Sequence, residues 1–147
     1  MDPSEVERAC RGVSDFIATA VTRYPIDERR VLMAGFSQGG FIAYQVALRD
    51  PARFAGLLAL SSWLPAELAS DIVTTPAHAQ LSTFVVHGLD DPMISIERGR
   101  ESRDALLALG VPTVYREFAM GHEISPEALR TIVAWVDERV FPRLAVV

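Results

Sequence analysis

The sequence predicts an α/β fold in which helices cover both faces of a parallel sheet. Short apolar runs of strand length alternate with amphipathic helical patterns, which is typical of parallel strands joined by crossover helices. The first of these runs is also continuously apolar, as expected for a strand that is buried on both faces. Since 50% of the 147 residues are hydrophobic, we expect a single domain over residues 1–147 with a core of its own.

The first half of the chain predicts a helix, a strand and a second helix. The helix covers residues 4–23, because apolar residues recur there at spacings of three and four. These residues are Val6, Cys10, Val13, Ile17 and Val21. The apolar run at 31–36 predicts a strand buried on both faces, and the helical pattern at 40–49 ends before Asp50-Pro51.

Three further strands follow in the second half. They are "FAGLLALSS" at 54–62, "TFVVHG" at 83–88 and "TVYREF" at 113–118. An amphipathic helix at 96–109 ends at Gly110, and a last helix covers 126–140. We therefore expect about four strands whose carboxyl ends share one edge of the sheet, where ligands bind in such folds.

The composition excludes several classes of function. A formal net charge of −5 without a basic cluster argues against nucleic acid as a partner. The absence of lysine excludes a lysine Schiff base and a Walker-type phosphate loop. Cys10 is the only cysteine, so an internal disulfide cannot form. A polar N-terminal segment and the lack of a long apolar run predict a cytoplasmic protein without stable membrane insertion.

The pentapeptide Gly35-Phe36-Ser37-Gln38-Gly39 links the predicted strand at 31–36 to the following helix. This G-x-S-x-G pattern is typical of a strained strand-to-helix turn, in which small flanking residues let the backbone pack closely and expose a nucleophilic serine. With Gly40, three glycines fall within six residues, which predicts that the turn needs backbone freedom. Ser37 is therefore the candidate nucleophile, and the Gln38 N–H at the helix N-terminus is a candidate oxyanion donor.

A serine nucleophile needs a general base, and the chain has three histidines. We expect His78, in a polar loop, to be solvated. His87 ends a predicted strand, where bonding to the backbone is favoured over catalysis. His122 follows the last strand, at the edge of the sheet where Ser37 also lies, and we predict that it is the base.

The acid that orients this histidine is expected between the serine and the histidine in the chain. Asp90 and Asp91 both follow a strand in that interval. Pro92 restricts the backbone of Asp91, which favours Asp91 over Asp90.

Four segments together resemble one family over nearly the whole chain. "GFSQGG", "ALSSWLP", "HGLDDPMI" and "MGHEIS" resemble the phospholipase/carboxylesterase family of α/β-hydrolases, which includes acyl-protein thioesterase-like enzymes. The resemblance implies a triad of Ser37, Asp91 and His122 that hydrolyses a small acyl ester, thioester or lysophospholipid-type substrate. No metal or organic cofactor is expected.

The resemblance also predicts an incomplete sheet. Members of the family carry several strands before the serine and an early His-Gly loop that completes the oxyanion hole. We expect both to be missing from a chain that starts at the helix before the strand at 31–36. The alternative function is then a weak or silent hydrolase-like domain that binds partners or forms homo-oligomers through its exposed sheet edge.

Apolar residues near the predicted strand ends are candidates for binding the acyl group. Trp63 and Leu64, with Pro65 and Leu68, follow the second strand. Met93 and Ile94 lie beside the predicted acid. The alternative for all of them is ordinary core or loop packing.

Overall fold

Helices and strands alternate along residues 2–142, the part of the chain that the computed structural model describes. In chain order they are α1 (Pro3–Arg23), β1 (Leu32–Phe36), α2 (Gln38–Arg49), β2 (Gly56–Leu60), α3 (Ala66–Asp71), β3 (Ser82–Gly88), α4 (Ile96–Ala108), β4 (Thr113–Phe118) and α5 (Pro126–Trp135). A π-helical turn at Val136–Val140 extends α5. Of these elements, only the short helix α3 was not predicted.

The four strands form one parallel sheet in the order β1-β2-β3-β4. Gly56 of β2 pairs with Leu32 on one side and with Ser82 on the other. Thr83 of β3 pairs in turn with Thr113 of β4. This parallel sheet with intervening helices confirms the predicted α/β fold, and it brings the carboxyl ends of all four strands to one edge.

Hydrophobic clusters lie on both faces of the sheet, because neighbouring residues of a strand point to opposite faces. On one face Leu57 and Val85 contact a cluster that includes Tyr44 of α2 and Leu106 of α4. On the other face Phe84 packs against Trp135 of α5, with ring centroids 5.3 Å apart. Strands β2 and β3 are therefore buried on both faces, as predicted.

Strand β1 departs from the prediction that it is buried on both faces. Ala34 is exposed, and Phe36 retains 40% of its accessible surface. Within residues 2–142, β1 lies at an edge of the sheet and pairs with β2 alone. The reason for this exposure is that no helix within residues 2–142 covers the face on which Ala34 and Phe36 lie. An apolar sequence alone does not provide a covering helix.

Helix α1 lies against the cluster that contains α2. The Asp2 carboxylate caps its start by accepting the Ser4 N–H at 2.9 Å, and Pro3 occupies its first turn. Cys10, Val13 and Ile17 of the predicted apolar stripe are only half-buried against the cluster. No helix within residues 2–142 is long and apolar enough to cross a membrane.

His78 is buried, with 3% of its surface accessible, so the prediction that it is solvated is wrong. It lies in a short 3₁₀ segment, Pro76–Gln80, that packs near the end of α2. Its Nε2–H donates to the Leu48 carbonyl at 3.0 Å, while its Nδ1 accepts the Thr75 N–H at 3.0 Å. A contact between residues this distant in the chain leaves no local pattern in the sequence.

Replacing His78→Ala should lower the free energy of unfolding by about 2 kcal/mol, because the Leu48 carbonyl loses its donor and a cavity forms. Chemical denaturation measures the loss. The exposed neighbour Gln80 provides the control, since Gln80→Ala should change stability by less than about 0.5 kcal/mol. Equal effects of the two substitutions would contradict a specific role for the buried imidazole.

Candidate active site

Ser37 connects β1 directly to α2 through an unusual backbone conformation. Its φ is 55° and its ψ is −120°, and within residues 2–142 only Ser61 is another non-glycine residue with positive φ. The Ser37 N–H donates to the Leu60 carbonyl of β2 at 2.9 Å. The sharp turn lifts the Ser37 side chain above the carboxyl edge of the sheet.

Two of the three glycines around Ser37 are required for space, as predicted for small residues at this turn, and the unusual backbone torsion is that of Ser37 itself. Gly35, Gly39 and Gly40 all lack positive φ. A Cβ at Gly35 would collide with the Gly39 backbone, and one at Gly40 would lie 2.5 Å from the Ser62 Cβ. Gly39 has no neighbour near its Cβ position, so Gly35 and Gly40 are the two close-packed glycines of the turn.

Three side chains meet at the carboxyl edge of the sheet. The Ser37 hydroxyl donates to His122 Nε2 at 3.0 Å, and His122 Nδ1–H donates to Asp91 Oδ2 at 2.8 Å. The carboxylate accepts the proton of Nδ1, which leaves the Nε2 lone pair facing the hydroxyl. The Phe36 ring lies against the imidazole, with centroids 4.7 Å apart. This arrangement can deprotonate the hydroxyl while Asp91 holds the ring.

Asp91 is fixed by its own loop. Its Oδ1 accepts the N–H groups of Met93 and Ile94, both at 2.9 Å, and its side chain is fully buried. Burial favours the protonated carboxyl, but hydrogen bonds from His122, Ile94 and Met93 outweigh it and lower the pKa of Asp91. Asp90 is exposed instead, with its backbone N–H donating to the Met120 carbonyl.

Two further residues lie near this cluster, namely His87, which was predicted to bond to the backbone, and Gln38, the predicted oxyanion donor. His87, at the end of β3, is fully buried and bonds to the Ile94 carbonyl at 2.9 Å. Gln38 is the first residue of α2, so its N–H has no acceptor within the helix. Its use by a substrate oxyanion stays a prediction.

The six predicted acyl-binding residues fall into two groups, after β2 and after β3. Trp63 and Leu64 line a cavity of about 560 Å³ that extends to α4 and that none of Ser37, Asp91 and His122 lines. In the same group Pro65 lines the same cavity as Trp63, and Leu68 is buried in the core. Met93 and Ile94 belong to the loop after β3, where Met93 is 73% exposed and Ile94 is half-buried. Their roles in binding stay predictions.

Within residues 2–142, no group of three or more histidine, cysteine, aspartate or glutamate side chains is arranged to hold a metal ion. At the carboxyl edge, Ser37, His122 and Asp91 are instead hydrogen-bonded to one another. The geometry of this edge is therefore that of an acid, a base and a hydroxyl in series.

A parallel sheet that carries serine, aspartate and histidine beyond the ends of β1, β3 and β4, in that chain order, is the arrangement of the α/β-hydrolase fold. The crystal structure of SOBER1 from Arabidopsis thaliana superimposes with a TM-score of 0.81 at 27% identity, covering 95% of this chain and 66% of that one. The chain belongs to the Phospholipase/Carboxylesterase family, whose sequence profile matches residues 1–139.

Two curated relatives illustrate the similarity. Acyl-protein thioesterase 1 of Mycosarcoma maydis is 34% identical over 145 residues, which cover 94% of this chain and 59% of that protein. Carboxylesterase SOBER1 of Arabidopsis thaliana is 29% identical, over 95% of this chain and 61% of that protein. The chain thus spans about three fifths of the length of these relatives.

The close approach at the serine turn predicts different outcomes for two glycines. Gly35→Ala should lower the free energy of unfolding by about 3 kcal/mol, because its Cβ meets rigid backbone. Gly39→Ala, at an open position on the same turn, should change stability by less than about 0.5 kcal/mol. Thermal unfolding of both variants tests this difference. A Gly35→Ala protein as stable as the wild type would contradict the packing argument.

The lowered pKa of Asp91 predicts a pH-dependent contribution to stability. The carboxylate should stabilise the fold fully above its ordinary pKa of 3.8 and lose this effect as the pH falls through the lower folded value. The measurement is the difference in unfolding free energy between the wild type and Asp91→Asn from about pH 2 to pH 6. A difference that stays constant over this range would contradict the lowered pKa.

Proposed function

We propose that this protein is a serine hydrolase of carboxylic esters or thioesters that works through an acyl-enzyme. The observation that carries the proposal is the hydrogen bond of 3.0 Å between Ser37 Oγ and His122 Nε2, with Asp91 on the opposite ring nitrogen. The membership of the chain in the Phospholipase/Carboxylesterase family supports the same reaction class.

In the first half of the reaction, Ser37 Oγ attacks the carbonyl carbon of the substrate while its proton moves to His122 Nε2. Asp91 stabilises the imidazolium that forms. The Gln38 N–H, at the N-terminus of α2, donates to the oxyanion of the tetrahedral intermediate. The bond to the leaving group then breaks, and His122 returns the proton to the departing alcohol or thiol.

In the second half of the reaction, water takes the place of the departed alcohol or thiol. His122 Nε2 takes a proton from the water as its oxygen attacks the acyl-Ser37 carbonyl, and the Ser37 oxygen leaves as the hydroxyl after receiving that proton. The products are a carboxylic acid and the free protein. Every proton transfer passes through one imidazole, so the chain's own residues supply all the acid-base chemistry.

The substrate class rests on the names of the relatives and on two apolar residues that are exposed or partly exposed. The curated names thioesterase and carboxylesterase point to acyl groups on sulfur or oxygen. Met93, beside Asp91, and Trp63, in the neighbouring cavity, offer apolar surface for an acyl chain. We propose a small acyl substrate and a cytoplasmic location, since a protein with one cysteine needs no oxidising compartment.

A fluorophosphonate probe and a chromogenic short-chain ester test the proposal. The wild type should be labelled and active, and Ser37→Ala should lose labelling and more than about 10⁴-fold of kcat. Ser70→Ala, on the exposed face of α3, should retain both. A folded wild type that is neither labelled nor active would overturn the proposal and favour a silent, hydrolase-like binding module.

A further inference from the structure

His87 is a second histidine beside the acid of the site. It is fully buried at the end of β3, and its Nε2 lies 2.9 Å from the Ile94 carbonyl and 3.7 Å from Asp91 Oδ2. A carbonyl oxygen can only accept, so His87 Nε2 carries the proton and donates it to Ile94. The longer distance to Asp91 is too great for a hydrogen bond.

The backbone of Ile94 connects His87 to the carboxylate. Its carbonyl accepts from His87, while the Ile94 N–H donates to Asp91 Oδ1 at 2.9 Å. The other oxygen, Oδ2, accepts from His122. The orientation of the Asp91 carboxylate is thus set from one side by His122 and from the other by a loop that His87 holds.

Helix α4 prevents the His87 ring from moving away from this loop. A Cβ at Gly99 would lie 2.8 Å from His87 Nδ1 and 3.1 Å from the Tyr115 hydroxyl oxygen. Such a distance is shorter than packed side chains allow, so the imidazole lies directly against the Gly99 backbone. The ring fills the space between α4 and the loop that carries Asp91.

We propose that His87 is a positioning residue, which fixes the Asp91 carboxylate for His122 by holding the Ile94 carbonyl against the end of β3. The inference rests on the proposed function, because it assigns a task within the same site. His87 touches neither Ser37 nor the reacting atoms, and its effect passes through the loop at residues 91–94.

A matched pair of substitutions separates the donor of His87 from its bulk. Methionine and glutamine have similar shapes, but only glutamine keeps an N–H near the position of Nε2. His87→Met should lower kcat by about 10–100-fold with little change in KM, because a misplaced catalytic group slows the chemical step. His87→Gln should restore most of kcat, and equal activity of His87→Met and wild type would overturn the proposal.

Proton NMR follows the His122 Nδ1–H···Asp91 hydrogen bond directly through its downfield resonance. This resonance should shift or broaden in His87→Met and return in His87→Gln. It does not require turnover. A wild type that lacks hydrolase activity, yet shows a resonance that depends on His87, would refute the proposed function and leave the positioning role standing.

If His87→Met does not fold, Gly99→Ala tests the positioning role of His87 instead. The added methyl group should displace the His87 ring, shift the same resonance and lower kcat. Gly12→Ala, in α1 with no atom near its Cβ position, is the control and should change neither. An unchanged resonance and unchanged kcat in folded Gly99→Ala would overturn the positioning role of His87.

Discussion

The strained backbone of Ser37 is the constraint on which the site depends. A positive φ of this kind costs about 1–3 kcal/mol for a residue with a side chain. Burial of α2 against the sheet offsets it, since Tyr44 and Ala47 are fully enclosed there. Because β1 turns into α2 without an intervening loop, the hydroxyl has no freedom to turn back toward the sheet. The position of the nucleophile is therefore a property of the packed core.

The order of the strands places the segment that carries His122 far from Ser37, so this segment must run across the sheet to reach it. His122 follows β4, whereas Ser37 follows β1, and three strand spacings amount to about 14 Å. The segment after β4 must therefore cross the end of β3. Gly88 permits this crossing, because a Cβ there would collide with the carbonyl oxygens of Met120 and Gly121. The same crossing brings the histidine past Asp91, so acid and base meet where two loops touch.

Much of this arrangement was predictable because its signals are local. The turn around Ser37 and the proline after Asp91 are short patterns with direct geometric meaning, and strand ends are readily located from apolar runs. The burial of His78 was not predictable, because its partner Leu48 lies on a distant segment. The exposure of Phe36 likewise depends on which elements cover β1. A single sequence therefore predicts local backbone structure better than it predicts contacts between distant segments.

The same limit explains the glycines. Sequence alone indicated that small residues let the backbone pack closely around Ser37, but it could not tell which of Gly35, Gly39 and Gly40 meets a close neighbour. The structure assigns the unusual torsion to Ser37 and the close contact to its neighbours. Likewise, the sequence indicated backbone bonding for His87, whereas its connection to Asp91 through Ile94 required coordinates.

The open face of β1 has a consequence for the chemistry beside it. Phe36 is 40% exposed on that face while its ring contacts the imidazole of His122. A group that covers this face of the strand would also remove water from one side of the base. The Phe36 ring therefore links two properties of the site: how much of the open face of β1 is covered, and how polar the surroundings of His122 are during proton transfer.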